Sequence, residues 1–196
     1  MFTIKSIAAI GLSLILSAVS VLPAAALVYD RNSGTWVEES VVAPRASRGS
    51  AIRKEVVEYQ TSHKPGTIVI ETGERRLYLV LEDGKALKYG IGVGRDGFTW
   101  AGKHRITRKA EWPGWTPPAA MRKRVPDLPA YMEGGPNNPL GARALYIGST
   151  LYRVHGTSEP WSIGQAVSSG CIRLTNEDVT DLYERVNVGA LIVVNH

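Results

Sequence analysis

The sequence predicts a mainly β fold, a small antiparallel β sandwich or barrel that carries one or two short helices. Short runs rich in β-branched and aromatic residues recur from residue 67 to the end of the chain. Sustained helical periodicity is found mainly at 175–186. Two of the strand-like runs are separated by Asp83 and Gly84, and an Asp-Gly pair in that position is a strong signal for a β-hairpin.

The composition fits one domain with accessory segments. The chain has 196 residues, of which 44% are hydrophobic and 21% charged, so it can form an ordinary core and does not resemble a disordered chain. The formal net charge of +5 is mildly basic and suits an anionic wall or membrane surface, and it could suit nucleic acid. The Lys and Arg residues are scattered, however, and the densest cluster, 122–124, fits a solvated face better than a binding patch.

Residues 1–26 have the pattern of a secretory signal peptide. Lys5 precedes an apolar run over 7–22, and small residues follow up to Ala26, after which we expect cleavage. An uncleaved membrane anchor is the alternative, but the apolar run is short for a membrane span. We therefore expect an exported protein that is not inserted in a membrane after cleavage. No cysteine lies near the cleavage site, which argues against a lipoprotein.

Residues 27–65 mix charges, serines and prolines without a sustained period, which indicates a linker or an N-terminal arm. Within it, 53–59 could form either a short helix or a strand. We expect the main domain to span 66–196. Its strand-like runs occupy residues 67–70, 77–81, 86–93, 144–147, 151–154 and 190–195.

Helices are expected at two places. Residues 175–178 resemble an N-terminal capping box, and the apolar residues that follow lie on one helical face until Gly189 ends the unit. A shorter helix is compatible with 161–167.

Residues 92–97 read Gly-Val-Gly-Arg-Asp-Gly, which matches a dinucleotide-binding motif literally. That motif requires a helix to begin at the loop and an acidic residue about 20 positions later. The helix requirement is not met, because the residues after the motif have no helical period. A glycine-lined strand end and turn is the better interpretation.

Residues 98–143 contain all but four of the chain's eleven prolines, which predicts a lid-like insertion without regular structure. Its aromatic residues either pack the insertion onto the core or form a platform for a glycan or peptide. They are Trp100, Trp112, Trp115 and Tyr131.

Cys171 is the chain's only cysteine, which excludes an intramolecular disulfide and a cysteine-rich zinc site. The four histidines lack metal-ligand spacing, so no metal is expected. An unpaired cysteine in an exported chain suggests a reactive thiol. A free thiol has a pKa of about 8.5, so it needs a base, and His155 lies 16 positions upstream across glycines and a proline. The alternatives are a buried small hydrophobe and a structural histidine, with His104 as a rival base.

Several short motifs occur together around this cysteine. Residues 155–157 read His-Gly-Thr, an Ile-Gly step follows at 163–164, and residues 168–174 read Ser-Ser-Gly-Cys-Ile-Arg-Leu before an Asn-x-Asp helix start. This order and spacing resembles the L,D-transpeptidase (YkuD) catalytic domain of bacterial cell-wall enzymes, over roughly residues 66–195. Residues 138–146 also resemble a segment of that family.

The resemblance implies a catalytic role for each motif. Cys171 would attack a peptidoglycan stem peptide between residue three and the D-Ala at position four, forming a thioester. His155 would take the thiol proton, or hold a thiolate–imidazolium pair, and then protonate the leaving amine. The carbonyl of Gly156 would orient the imidazole, and the amides of Gly170 and Cys171 would form an oxyanion hole. No cofactor is needed.

The resemblance also implies a substrate surface and leaves the acceptor open. Arg173, Ser168, Ser169 and Trp161 would bind the donor peptide, with Arg173 suited to a carboxylate. The acceptor could be a neighbouring stem peptide, a D-amino acid or a protein amine. A thiol hydrolase of the L,D-carboxypeptidase type and a non-catalytic peptidoglycan-binding module are the alternatives. Export to the periplasm of a Gram-negative bacterium is expected, which makes nucleic acid an improbable partner.

Overall fold

The computed structural model describes residues 27–30, 35–38, 50, 52–96 and 100–196. The predicted signal peptide and residues 97–99 lie outside the described residues. Backbone contacts divide the chain into two compact units, 1–45 and 46–196. In the first unit, strand β1 (Leu27–Asp30) pairs antiparallel with β2 (Thr35–Glu38).

The second unit is built mainly from strands, with two α-helices and one 3-10 helix among its described residues. This confirms the predicted mainly β class with short helices. In chain order the elements are β3 (Glu55–Glu58), β4 (Ile68–Glu71), β5 (Arg76–Val80), β6 (Lys85–Gly90), β7 (Val93–Gly94), β8 (Gly102–Glu111), α1 (Ala119–Arg124), β9 (Arg143–Ile147), β10 (Arg153–His155), the 3-10 helix (Pro160–Ser162), β11 (Ala166–Ser168), β12 (Ile172–Arg173), α2 (Asn176–Arg185) and β13 (Leu191–Asn195). None of the helices among the described residues is long and apolar enough to cross a membrane.

Nine strands form one sheet in the order β12-β10-β9-β8-β13-β4-β5-β6-β3. Six of its eight pairings are antiparallel, but β10–β12 and β13–β4 are parallel, so the sheet is mixed rather than wholly antiparallel as predicted. A parallel pair needs a long crossover connection. Residues 156–171 make that crossover between β10 and β12, and they contain the 3-10 helix and β11. Strand β11 pairs separately with β7.

The sheet closes on itself near β12. Gly92, two residues after β6, exchanges two backbone hydrogen bonds of 2.9 Å with Arg173 of β12. Strands from both ends of the sheet therefore contribute to one hydrophobic core, which includes Tyr89 from one end and Ile172 from the other. Helix α2 packs Val179 and Leu182 into the same core.

The hairpin predicted between β5 and β6 is present. The two strands pair antiparallel from Arg76 to Val80, and Asp83 and Gly84 have φ angles of 58° and 67°. Positive φ at both central residues is what a tight hairpin turn of the Asp-Gly type requires.

The undecided segment 53–59 forms a strand. Strand β3 pairs antiparallel with β6, and the ring of Tyr59 stacks on Tyr78 with 4.6 Å between the ring centroids. Part of the stretch interpreted as a linker or arm therefore belongs to the main sheet.

The prediction that 98–143 lacks regular structure is wrong for 102–111, which form the ten-residue strand β8 between β13 and β9. All seven prolines of the segment follow Glu111, so none interrupts this strand. Only Ile106 is fully buried, and the many exposed charged residues gave the strand no alternating apolar pattern. Helix α1 adds a second regular element.

The glycine motif at 92–97 contains the short strand β7, and the next element among the described residues is the strand β8. No helix begins at this loop within the described residues. The geometry agrees with a strand end and turn, as the sequence indicated.

Candidate active site

The parallel pairing of β10 with β12 brings the two candidate catalytic side chains to neighbouring strands. Val154 lies opposite Ile172 and His155 opposite Arg173. Cys171 immediately precedes β12, so by the same register it lies across from Arg153. Side chains two residues apart on a strand share one face. This places the thiol and the imidazole on the same face of the pair, diagonally across the two strands.

His155 is buried, with 4% of its surface exposed, and its Nδ1 lies 2.6 Å from the carbonyl oxygen of Gly156. Because a carbonyl only accepts, Nδ1 carries the hydrogen and donates it. Burial and then the nearby Arg173 lower the pKa of His155 to about 3. The imidazole is therefore neutral near pH 7, and its Nε2 keeps a lone pair that can accept a proton.

Cys171 is a half-buried free thiol whose Sγ lies 4.0 Å from the carbonyl oxygen of Leu151. Burial raises the pKa of this thiol, against the opposing effects of Arg153 and Arg173. In the described part of the chain no hydrogen bond joins Cys171 to His155. Both side chains are instead held near backbone carbonyls.

The loop before the cysteine is held by Ser168. Its hydroxyl donates to the carbonyl of Cys171 at 2.6 Å and accepts from the amide of Gly170 at 3.1 Å. Gly170 has φ 102°, which favours glycine, and its carbonyl accepts from Trp100 Nε1 at 2.8 Å. The Gly170 amide is thus engaged within the loop, which departs from its expected place in an oxyanion hole. Among the described residues the Cys171 amide has no hydrogen-bond partner.

Arg173 is already paired within the protein. Its Nη1 lies 3.3 Å from both Glu159 Oε2 and Ser162 Oγ, and the side chain is largely buried. The adjacent Trp161, on the 3-10 helix, is 44% exposed, and Ser169 is half-buried. The four predicted substrate-binding residues therefore differ in their surroundings: Ser168 holds the cysteine loop, Arg173 is ion-paired, Ser169 is half-buried and Trp161 is exposed.

Asn176, the first residue of α2, organises the loops behind the site. From the sequence it was expected only to begin this helix. Its Oδ1 accepts from the amides of Ala142 at 2.9 Å and Thr157 at 3.2 Å. A Cβ added at Gly141 or Gly156 would collide with this oxygen. The His-Gly-Thr segment is therefore tied to the start of α2 through a side-chain amide.

The aromatic residues of 98–143 divide into two groups. Trp100 stacks on Tyr152 with 4.7 Å between ring centroids, and Trp115 is buried. Trp112 and Tyr131 are about half exposed. Among the described residues, no three His, Cys, Asp or Glu side chains are grouped so that they could hold a metal ion.

Comparison with known proteins places these features in a family. Residues 65–194 match the family model described as the L,D-transpeptidase catalytic domain, YkuD. The chain is 36% identical over 163 residues to the probable L,D-transpeptidase ErfK/SrfK of Escherichia coli K12, covering 79% of this chain and 51% of that protein. It is 43% identical over 134 residues to the probable L,D-transpeptidase YbiS of the same strain, covering 64% and 43%. The chain thus spans about half the length of these curated relatives.

Solved structures share the fold. A crystal structure named as a probable carnitine operon oxidoreductase, caia, from Brucella melitensis is 45% identical with a TM-score of 0.52, covering 74% of this chain and 94% of that one. L,D-transpeptidase 3 from Mycobacterium tuberculosis, solved with a faropenem-derived adduct, is 19% identical with a TM-score of 0.51, covering 66% and 60%. With a family model that covers most of its length, the chain belongs to the YkuD family of L,D-transpeptidase catalytic domains.

Proposed function

We propose that this protein is an exported thiol L,D-transpeptidase that acts on peptidoglycan stem peptides. It cleaves the bond between residue three and D-Ala at position four through a Cys171 thioester, and it transfers the acyl group to an amine. The observation that carries this proposal is the parallel β10–β12 pair, which sets a neutral, oriented His155 on the same face as the chain's single thiol.

The acylation step uses His155 as a general base. Burial favours the neutral forms of both His155 and Cys171, so the thiol proton moves to Nε2 as the sulfur attacks the peptide carbonyl. A C–S bond forms and an oxyanion develops, for which the Cys171 amide is the donor we assign. The imidazolium then protonates the nitrogen of D-Ala, the C–N bond breaks, and free D-Ala leaves a thioester behind.

In the second step an amine attacks the thioester carbonyl. The new amide bond forms, the C–S bond breaks, and the amine proton returns through His155 to the sulfur. A stem-peptide amine gives a 3–3 crosslink, a D-amino acid gives exchange, and a protein amine gives attachment. Water as acceptor instead makes the protein an L,D-carboxypeptidase, which is the second candidate.

Substrate binding draws on the same loop. A carboxylate of the donor peptide would replace Glu159 at Arg173, which suits an arginine that already holds one carboxylate. Ser168 would act by shaping the cysteine loop through its two hydrogen bonds. Ser169 and Trp161 would border the donor peptide, and the exposed Trp112 and Tyr131 are available to a glycan or peptide.

Intact mass of the purified mature protein after incubation with a carbapenem tests the nucleophile. We expect a mass increase of one drug molecule on the wild type, none on Cys171→Ala, and a much slower increase on His155→Ala. Turnover of a tetrapeptide stem with and without an added amine then separates transpeptidation from hydrolysis. A folded wild type that never forms an adduct, yet binds peptidoglycan as well as Cys171→Ala does, would instead indicate a non-catalytic binding module.

A further inference from the structure

A second cation lies beside the thiol. Extending the β10–β12 register by one residue sets Arg153 across from Cys171. Its Nη2 donates to the carbonyl oxygen of Leu151 at 3.0 Å. The same oxygen lies 4.0 Å from Cys171 Sγ. The guanidinium of Arg153 and the thiol of Cys171 therefore both lie next to the Leu151 carbonyl oxygen.

Other contacts hold this guanidinium in place without neutralising it. Its central carbon lies 5.6 Å from the centroid of the Tyr146 ring, in a cation–π contact. Its Nε is buried and has no hydrogen-bond partner among the described residues. In that same part of the chain no carboxylate forms an ion pair with Arg153, so its charge is not cancelled locally.

The charged and titratable groups that face the thiol are few. Strand β10 contributes Arg153 and the neutral His155, and β12 contributes Arg173. The charge of Arg173 is offset by Glu159 at 3.3 Å. Among the effects that lower the pKa of Cys171, the charge of Arg153 comes first, followed by a hydrogen bond from the Arg153 backbone amide and then by the charge of Arg173.

We propose that Arg153 is a positioning residue of the active site, whose guanidinium stabilises the Cys171 thiolate across the β10–β12 pair. The proposal rests on the proposed function in that Cys171 is taken as the nucleophile. Arg153 would act through Cys171 and not on the substrate. Strand β10 would then carry both the proposed base, His155, and a cation that favours the thiolate.

Alkylation of the single cysteine by iodoacetamide, followed by intact mass over a range of pH, tests this directly. We expect Arg153→Gln and Arg153→Met to raise the apparent pKa of the thiol by about one pH unit, which slows alkylation near pH 7 by about tenfold. Arg153→Lys should restore most of the rate, because it keeps the charge. Arg108→Gln is the matched control, since Arg108 lies over the same Tyr146 ring at 3.6 Å. Its profile should equal that of the wild type.

An alkylation profile of Arg153→Gln that coincides with the wild type would overturn the proposal. So would an equal shift in Arg108→Gln, which would point to loss of the Tyr146 contact instead of the charge. Thermal unfolding first checks that the neutral variants fold. A rise of about one pH unit in the thiol pKa of Arg153→Lys, which keeps the charge, would also contradict the proposal.

The alkylation measurement needs no substrate, so it separates this inference from the proposed function. A wild type that forms no carbapenem adduct, with Arg153→Gln still shifted, would remove the transpeptidase proposal and leave the thiolate effect intact. If the carbapenem acylates the wild type but the thiol pKa of Arg153→Gln equals that of the wild type, the transpeptidase proposal stands and the thiolate effect of Arg153 is removed.

Discussion

At the scale of single residues, the protonation of His155 links the proposed chemistry to stability. The proposed base must be neutral to accept the thiol proton, and burial favours that form by lowering the pKa of His155 to about 3. In the unfolded chain a histidine has a pKa of about 6.5. Between these two values the unfolded state binds one proton more than the folded state, so the free energy of unfolding falls as the pH decreases through this window.

This predicts a measurable pH dependence of stability. Lowering the pH from 7 to 5 should remove about 2 kcal/mol from the free energy of unfolding through His155 alone. His155→Asn, whose amide can still donate to the Gly156 carbonyl, should lack this contribution. Urea unfolding of both proteins at the two pH values measures it, with the variant correcting for all other groups. Parallel losses in wild type and variant would contradict the buried neutral imidazole.

The sequence could predict the candidate nucleophile and base more readily than the residues that surround them. Cys171 and His155 carry a chemical signature and a recognisable spacing. Asn176 and Arg153 do not, because their importance comes from contacts with residues distant in the sequence or across a strand pair. Asn176 reaches Ala142, 34 positions away, and no local pattern marks that contact.

At the scale of elements, the start of α2 fixes the loops of the site. Thr175 caps the helix by accepting from the Asp178 amide at 3.0 Å, and Asn176 beside it accepts from two loop amides. The cap was visible in the sequence as a capping box. The second function of this helix end depends on where the sheet places residues 142 and 157.

Replacing Asn176 tests this connection. Asn176→Ala leaves the amides of Ala142 and Thr157 without their acceptor, which should lower the free energy of unfolding by about 2 kcal/mol and slow acylation of Cys171. Asn176→Asp keeps an accepting oxygen and should lose less than about 1 kcal/mol. Urea unfolding and the carbapenem reaction rate measure both effects. Glu177→Ala, an exposed neighbour, is the control, and an Asn176→Ala loss no larger than its loss would contradict the proposed connection.

Strands differ in how clearly the sequence predicts them. The hairpin β5–β6 has alternating apolar residues and an Asp-Gly turn, so local chemistry is enough to locate it. Strand β8 is almost wholly polar, and it is a strand because β13 and β9 supply partners on both sides. Tertiary pairing therefore overrides a sequence that has no strand pattern of its own.

At the scale of the whole molecule, the sheet order could not be read from the sequence. Strands β4, β5 and β6 are consecutive in the chain and pair with one another. Strand β13, however, lies between β4 and β8, and β12 forms the edge of the sheet opposite β3. These placements depend on long-range contacts. The backbone bridge between Gly92 and Arg173 then joins the strand that follows the cysteine to the segment after β6.

The same long-range pairing decides where the folded domain begins. The sequence places this boundary at 65/66, whereas residues 52–59 contact the sheet extensively. Glu55 pairs with Lys88 at 2.6 Å, Tyr59 stacks on Tyr78, and a Cβ at Gly90 would collide with Ile52. Backbone contacts divide the chain further upstream, between 45 and 46.

Two truncated chains distinguish these boundaries. A chain that begins at Ala46 should unfold at the same temperature as the mature protein, because it keeps β3. A chain that begins at Thr61 loses the β3–β6 ladder and the stacked tyrosine, which we expect to cost about 3 kcal/mol and to lower Tm by about 10 °C. It should also associate with itself, since the backbone groups of β6 become an open sheet edge. Calorimetry and size-exclusion chromatography measure both properties. Equal values of Tm for the two chains would place residues 46–60 outside the cooperative unit and support a domain start near residue 66. The expected difference in Tm would instead make β3 an integral strand of the nine-stranded sheet.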